Sequence, residues 1–453
     1  MRNQLIILFT ILIPNLGMAQ EPTEQVSAPM ELGVQDCIGY AWKNSQKSKT
    51  AEIAVSQADK DVWIQAAKGL PIVNGSVNFT NFIDLPTSVF DASAFNPLAP
   101  AGELTELQFG QKYTMDAGVN VGLQLFDGSY IVGVKGARGF QKLSRDMAKM
   151  TQNEVEVIIA EAYYTSQVAK ENVRLLKENI TSMEKTLNET KELFKEGFTE
   201  EMNVEQLELL MNSMNNRMKM AQRQHEATLN LLKYQMGMPV KTPIILKDDL
   251  ETLWGLQSAE ELLTKELKLE ENLAYDLVKQ DVVMHGYLVK LQEAQYYPRL
   301  IAFFDYKHQA FRNSFDFFDT DKSWYPQTLW GVKLTVPIWD NLGGLSAINK
   351  AKLEQQKIKN KLADLEQALT LQSITAKDGF TSSLEQLETS AKNIDLAKRI
   401  KDKTLIRYNE GLATSMELTT AENQLISAQA EYISTLFSAM DAKLELKKVL
   451  ENN

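Results

Sequence analysis

The chain is written twice, and a duplicated chain is expected to fold as two copies of one unit. "KEGFTEEM" at 195–202 answers "NEGLATSM" at 409–416, with Gly197 opposite Gly411. "LQLFDG" answers "VPIWDN", with Asp127 opposite Asp340, and "KGLPIV" answers "QYYPRL", with Pro71 opposite Pro298. The three offsets are 214, 213 and 227 residues. The halves therefore differ mainly by about 14 residues between Pro71 and Asp127, in the loop "DLPTSVFDASAFNPLAPAGELTEL".

Each copy reads as helix, strand, long loop, strand, long helix, tight turn, helix. In the first, Val73, Val77 and Phe79 alternate with Asn74, Ser76 and Asn78, and Val119, Val121, Leu123 and Leu125 alternate with Asn120, Gly122 and Gln124. In the second, Trp330, Val332, Leu334, Val336 and Ile338 alternate with Gly331, Lys333 and Thr335. The pattern predicts strands at about 72–83, 112–126, 299–309 and 328–339. The third is the least regular, because "FFDY" breaks its alternation.

The helices carry the 3-4 spacing of coiled coils. Leu176, Ile180, Met183, Leu187, Thr190 and Phe194 form one seam, Leu207, Met211, Met214, Met218 and Ala221 a second, and Leu418, Ala421, Leu425, Ala428 and Tyr432 a third. Gly128–Glu196 and Gly343–Glu410 contain no proline. Helices of that length would reach about 100 Å. The return segments Thr199–Met236 and Ser258–Tyr297 are shorter. Pro239 and Pro243 mark 238–257 as a non-helical belt between a first repeat, 20–237, and a second, 258–453.

The first 19 residues place Arg2 before an apolar run and end on small residues, a pattern expected of a signal peptide cut before Gln20. No later window is apolar for long enough to form a membrane-crossing helix. Cys37 is the only cysteine, so no disulfide can form within the chain. The formal charge of -11 argues against nucleic-acid binding. No nucleophile–base signature, phosphate loop or dinucleotide turn appears, so we expect neither an enzyme nor a cofactor. His225, His285 and His308 are too scattered for a metal site. "MNSMNNRMKM" is rich in thioethers, which bind soft metals, but its Met211, Met214 and Met218 fall on a packing seam.

Four two-faced strands have no second layer to cover their apolar face, and four cannot close a barrel. Lipid could cover that face if several chains shared one barrel, which would also leave no unpaired edge in the bilayer. Asn74, Asn78, Asp116, Asn120 and Lys333 would then line a wet lumen. Trp324, Tyr325 and Trp330 are candidates for an interfacial aromatic girdle.

The duplication, the passage "VPIWDNLGGLSAINKAK" and the two turns with an aromatic residue three positions before Gly197 or Gly411 resemble the TolC-like outer-membrane efflux proteins of Gram-negative bacteria. The resemblance covers about Leu32 to Leu450. It implies a mainly α fold with membrane β: a homotrimer whose twelve-stranded outer-membrane barrel continues as an α-helical tunnel across the periplasm. It also implies a passive exit duct working with a periplasmic adaptor and an inner-membrane pump of the RND or ABC type. A soluble periplasmic coiled-coil scaffold or adaptor is the alternative, though it would not need the four strands.

Within the resemblance, the tips Gly197, Phe198, Gly411 and Leu412 correspond to adaptor contacts. Glu417 and Thr420 stand where related chains carry the aspartates of a pore constriction. Asn203 is the first-repeat equivalent of Glu417, and Ala413 replaces an arginine. Local chemistry offers another reading, in which the glycines end helices, Thr199 or Thr414 caps the next one, and Glu417 completes a capping box.

Overall fold

The computed structural model describes residues 29–450 apart from 93–99, 101, 103, 251–252 and 254–256. The proposed signal peptide and the tip of the long first loop lie outside the described residues. In the first repeat, β1 (Met30–Leu32), α1 (Val34–Asn44) and α2 (Gln46–Ala67) lead to β2 (Ile72–Asn81), β3 (Thr87–Asp91), β4 (Leu104–Gln108) and β5 (Tyr113–Asp127). A hairpin of α3 (Gly128–Lys195) and α4 (Glu201–Met236) follows, then β6 (Ile244–Leu246) in the belt. The second repeat runs through α5 (Gln257–Thr264), α6 (Leu273–Ala294), β7 (Arg299–Arg312) and β8 (Tyr325–Thr335) to a hairpin of α7 (Gly343–Asn409) and α8 (Ser415–Leu450).

The long helices contain 68 and 67 residues and their return helices 36 each. Both long helices start just after an aspartate. Asp127 Oδ1 accepts from the amides of Ser129 at 2.7 Å and Tyr130 at 3.3 Å, while Asp340 accepts from Leu342 at 3.1 Å and Gly344 at 2.7 Å. The carboxylate satisfies amides that the first turn leaves without partners. Both end at a glycine in the left-handed region, Gly197 at φ 79° and Gly411 at φ 72°.

Two helices expected to be continuous are broken, at equivalent places. Ser45 separates α1 from α2, its hydroxyl accepting from Ser48 N at 3.2 Å. Asn272 starts α6, its side chain accepting from Tyr275 N at 3.2 Å. These residues are offset by 227, like Pro71 and Pro298. Ser258–Tyr297 is therefore α5, a 3-10 turn at Leu269–Glu271, and α6. The break lets Ala259 and Leu262 of α5 pack against Phe380, Leu446 and Leu450.

β2, β5, β7 and β8 form one antiparallel sheet in that order. β8 ends at Thr335, short of the expected 339, because its partner β7 starts at Arg299 and leaves residues 336–339 without a strand opposite. The inserted loop carries an additional hairpin, β3–β4, and β1 pairs in parallel with β6. The irregular alternation of β7 is explained by Phe303, which lies on the polar face opposite Gly331 and Gly122. A methyl group added at Gly331 would fall 2.8 Å from the Phe303 ring, so glycine makes room for it.

The belt is fastened at Tyr163 of α3, whose hydroxyl donates to Leu32 O at 3.1 Å and accepts from Asp248 N at 3.2 Å. Cys37 is wholly buried in this core beside Ile159, Leu232 and Met236, and burial pushes its thiol up to about 12. It is a packing residue and not a reactive one.

Candidate functional site

The sheet register decides which side chains share a face, because partners across an antiparallel ladder point the same way and neighbours along a strand alternate. Asn74 pairs with Asn120 and Asn120 with Asp305, while Asn78 pairs with Asp116 and Asp116 with Gln309. Lys333, paired with Ile301, belongs to the same face. All five lumen candidates thus stand on one side of the sheet. Asn78 donates to Asp116 at 2.8 Å and Asn120 to Asp305 at 2.5 Å, so cross-strand amide–carboxylate pairs run along this face. Asp305 and Lys307, which the broken pattern of β7 hid, extend it.

The opposite face carries Val73, Val77, Val121, Phe304, Trp330, Val332 and Leu334. Val77 and Trp330 are more than 70% exposed, so the described residues leave the middle of this surface bare. Of the girdle candidates, Trp330 is on the apolar face and Tyr325 is on the polar one, opposite Gln309. Trp324 sits in the β7–β8 loop against Phe317. β2 and β8 are the two open edges.

At the other end of the molecule the two helical turns have one geometry. Gly197 N donates to Phe194 O at 3.0 Å and Phe198 N to Leu193 O at 2.8 Å. Gly411 N donates to Tyr408 O at 3.0 Å and Leu412 N to Arg407 O at 2.8 Å. This bond pair closes a helix around a left-handed residue and leaves the next side chain outside. Phe198 is 79% exposed and Leu412 65%.

The helix starts after these turns differ. Thr414 and Glu417 form a reciprocal capping box, with Glu417 N donating to Thr414 Oγ1 at 3.2 Å and Thr414 N to Glu417 Oε2 at 2.7 Å. The Thr414 amide, and then the Thr414 hydroxyl, hold the Glu417 carboxyl below its ordinary pKa. Thr199 does not cap α4: Glu200 occupies that position without a side-chain bond, and Thr199 accepts from Asn203 Nδ2 at 2.9 Å. Asn203 also reaches the second repeat, its Oδ1 lying 2.6 Å from the buried Ser415 hydroxyl. Thr420 is exposed on α8 and its hydroxyl bonds back to Met416 O at 2.8 Å.

Above the tips, α3, α4 and α8 meet in an apolar core of Ile180, Met183, Leu187, Leu207, Met211, Met214 and Leu418. Met211 and Met214 are buried there as packing residues. Inside this assembly lies a feature that the seam pattern obscured: Glu422 is 1% exposed, with Lys401 Nζ 3.7 Å from Oε1. The same ammonium donates to Ser182 of α3 at 3.2 Å. Burial raises the Glu422 pKa, while Lys401 lowers it and Asp402 raises it. The internal repeat held a signal, since Lys401 falls opposite Leu187.

Among the described residues, no helix is long and apolar enough to cross a membrane. Residues 278–451 match the family described as outer membrane efflux protein. No curated protein matches significantly. The chain is similar in structure to CusC, with a TM-score of 0.70, 13% identity and coverage of 93% of this chain and 92% of that one. It is also similar to the CmeC outer membrane channel of Campylobacter jejuni, with a TM-score of 0.67, 18% identity and coverage of 92% and 85%. The open-state MtrE outer membrane channel of Neisseria gonorrhoeae gives a TM-score of 0.68, 15% identity and coverage of 92% and 88%. At such identities the structural likeness concerns the fold.

Proposed function

We propose that this chain, an outer membrane efflux protein in family and fold, is a passive exit duct built from three copies. It is an outer-membrane protein that extends into the periplasm. One observation supports the shared barrel above all others: a four-stranded sheet with two open edges and an apolar face left bare over most of its height. Up-down alternation makes β8 antiparallel to the β2 of a neighbouring copy, so three sheets close into twelve strands without a parallel mismatch. Residues 336–339, with Ile338 94% and Trp339 72% exposed, lie on the edge that the neighbour would cover.

In the closed barrel, lipid covers the Val73–Val121–Phe304–Trp330 face and the Asn120–Asp305 face surrounds water. The helical hairpins carry the passage about 100 Å into the periplasm. Cargo moves through by diffusion and undergoes no reaction. Energy comes from an inner-membrane pump of the RND or ABC type through a periplasmic adaptor that grips the apolar tips Phe198 and Leu412. Glu417 and Thr420 of three copies approach one axis at the narrow end. A soluble scaffold has no use for the bare apolar face of the sheet.

The test joins assembly to transport. A heat-sensitive trimer should be extracted from outer membranes, and Leu412→Asp should form that trimer yet fail to complement efflux in a strain lacking its own duct. A monomer that stays soluble without detergent would overturn the duct reading. Full efflux by a stable Leu412→Asp trimer would overturn the docking of the tip.

A further inference from the structure

The β7–β8 loop, residues 313–324, stands at the end of the sheet farthest from the helices and folds to one side. Phe315 and Phe317 pack edge-on against Phe79, with ring centroids 5.5 and 5.8 Å apart, and Phe317 also lies 6.0 Å from the Arg312 guanidinium. Phe79 pairs with Met115 and Met115 with Ala310, which the register assigns to the apolar face. Ala310 is completely covered and Phe317 nearly so. The loop is therefore laid over the outer end of the lipid-side face and away from the polar one.

Its exposed surface continues that face. Phe318 is 83% exposed and Phe315 60%. Four of the five charges at residues 312–322 are paired with one another: Asp316 bridges Arg312, at 3.3 Å, and Lys322, which also lies 3.9 Å from Asp319, while Asp321 is exposed to solvent. Exposed phenyl rings continuous with an apolar sheet face, above a base of mostly paired charges, suit a boundary where acyl chains meet headgroups. We propose that this loop is a membrane anchor, with Phe315 and Phe318 seated in the acyl-chain boundary of the outer leaflet and the outer mouth of the duct left free of it. The inference rests on the barrel reading above, and its test separates the two.

Single cysteines at Phe318, Trp330 and Lys333 would be labelled with an environment-sensitive fluorophore in the full-length protein. The native Cys37 is wholly buried and should remain unlabelled under folded conditions. The labelled protein would be reconstituted into phosphatidylcholine vesicles brominated close to the headgroup, with iodide as the aqueous quencher. The labels at Phe318→Cys and Trp330→Cys should be quenched several-fold by bromolipid, and the label at Lys333→Cys by iodide alone. A Phe318→Cys label quenched by iodide and not by bromolipid, beside a lipid-quenched Trp330→Cys label, would overturn the anchor while keeping the barrel. A Trp330→Cys label in water would remove the barrel face itself and the anchor with it.

Discussion

Lys191 and Glu208 join α3 to α4 at 2.7 Å, and Lys401 and Glu422 join α7 to α8 at 3.7 Å. The glutamates are repeat equivalents, yet the side chains of the first pair are 40% and 46% exposed and those of the second 12% and 2%. Water already solvates the first pair, so forming it changes little. The second has lost that solvation and is compensated by its own attraction, by Ser182 and by Asp402, which lies 3.7 Å from the Lys401 ammonium. Because the Lys401 ammonium reaches both α3 and α8, it ties together hairpins from different repeats. The equivalent position in the first repeat is filled by buried Leu187, which contributes packing without any demand for a partner.

Breaking the buried pair should therefore have the largest effect. Lys401→Met should destabilise the helical region by about 3–5 kcal/mol, against about 0–1 kcal/mol for Lys191→Met. Denaturant titration followed by far-ultraviolet circular dichroism would compare them, and equal losses would remove the distinction. The pH dependence sharpens it. The folded-state pKa of Glu422 is raised, so its contribution is fully present below the unfolded value and is lost as pH rises through the folded one. The Lys401→Met defect should shrink in acid, where the carboxyl takes up a proton, and Glu422→Gln should flatten the slope.

The turns, in contrast, should respond alike. A methyl group at Gly197 or Gly411 would meet no atom within 4 Å, so only the left-handed backbone resists substitution. Gly197→Ala and Gly411→Ala should each cost about 1–2 kcal/mol. A difference much beyond that range between the two would mean that one tip is held by something other than its own turn.

Those turns, the long helices and the four strands were legible because their signals are local: glycine after an aromatic turn, aspartate before a proline-free run, alternation of period two. The β1–β6 pair was not. It joins two three-residue segments more than 200 residues apart, and nothing within either announces the other. "KELKLEEN" has ordinary helical composition, so the break at Asn272 is set by packing of α5 against the C-terminal helix. Of the candidate sites, the shared face of Asn74, Asn78, Asp116, Asn120 and Lys333 followed from alternation. The buried Lys401–Glu422 pair did not, because a charged residue on a coiled-coil seam reads as surface until three helices enclose it.

A smaller contrast lies at the helix starts. Thr414 accepts from the Glu417 amide, whereas Thr199 receives only the Asn203 side chain. Thr414→Ala should cost about 0.5–2 kcal/mol and speed hydrogen exchange in the first turn of α8. Thr199→Ala should leave α4 almost unchanged. Equal effects would show that Thr199 takes up the cap in solution.

The subtlest comparison is between the two glutamates of α8. Glu422 is buried with a raised pKa, whereas Glu417 is exposed and holds a lowered one, chiefly through the Thr414 amide and then its hydroxyl. Their signs are opposite: the Glu417 contribution is present above its unfolded pKa and is lost as pH falls through the folded value. Glu417→Gln is the informative change, because glutamine can still complete a capping box while carrying no charge. Hydrogen exchange at the start of α8 should be nearly unaltered and its acid sensitivity reduced. If three Glu417 carboxylates also face one axis, the same variant should weaken block by multivalent cations in planar-bilayer recordings, since clustered carboxylates attract cations in proportion to their charge. Unchanged block together with intact exchange protection would assign Glu417 to the cap alone, and the uncharged Thr420 one turn along could not take its place.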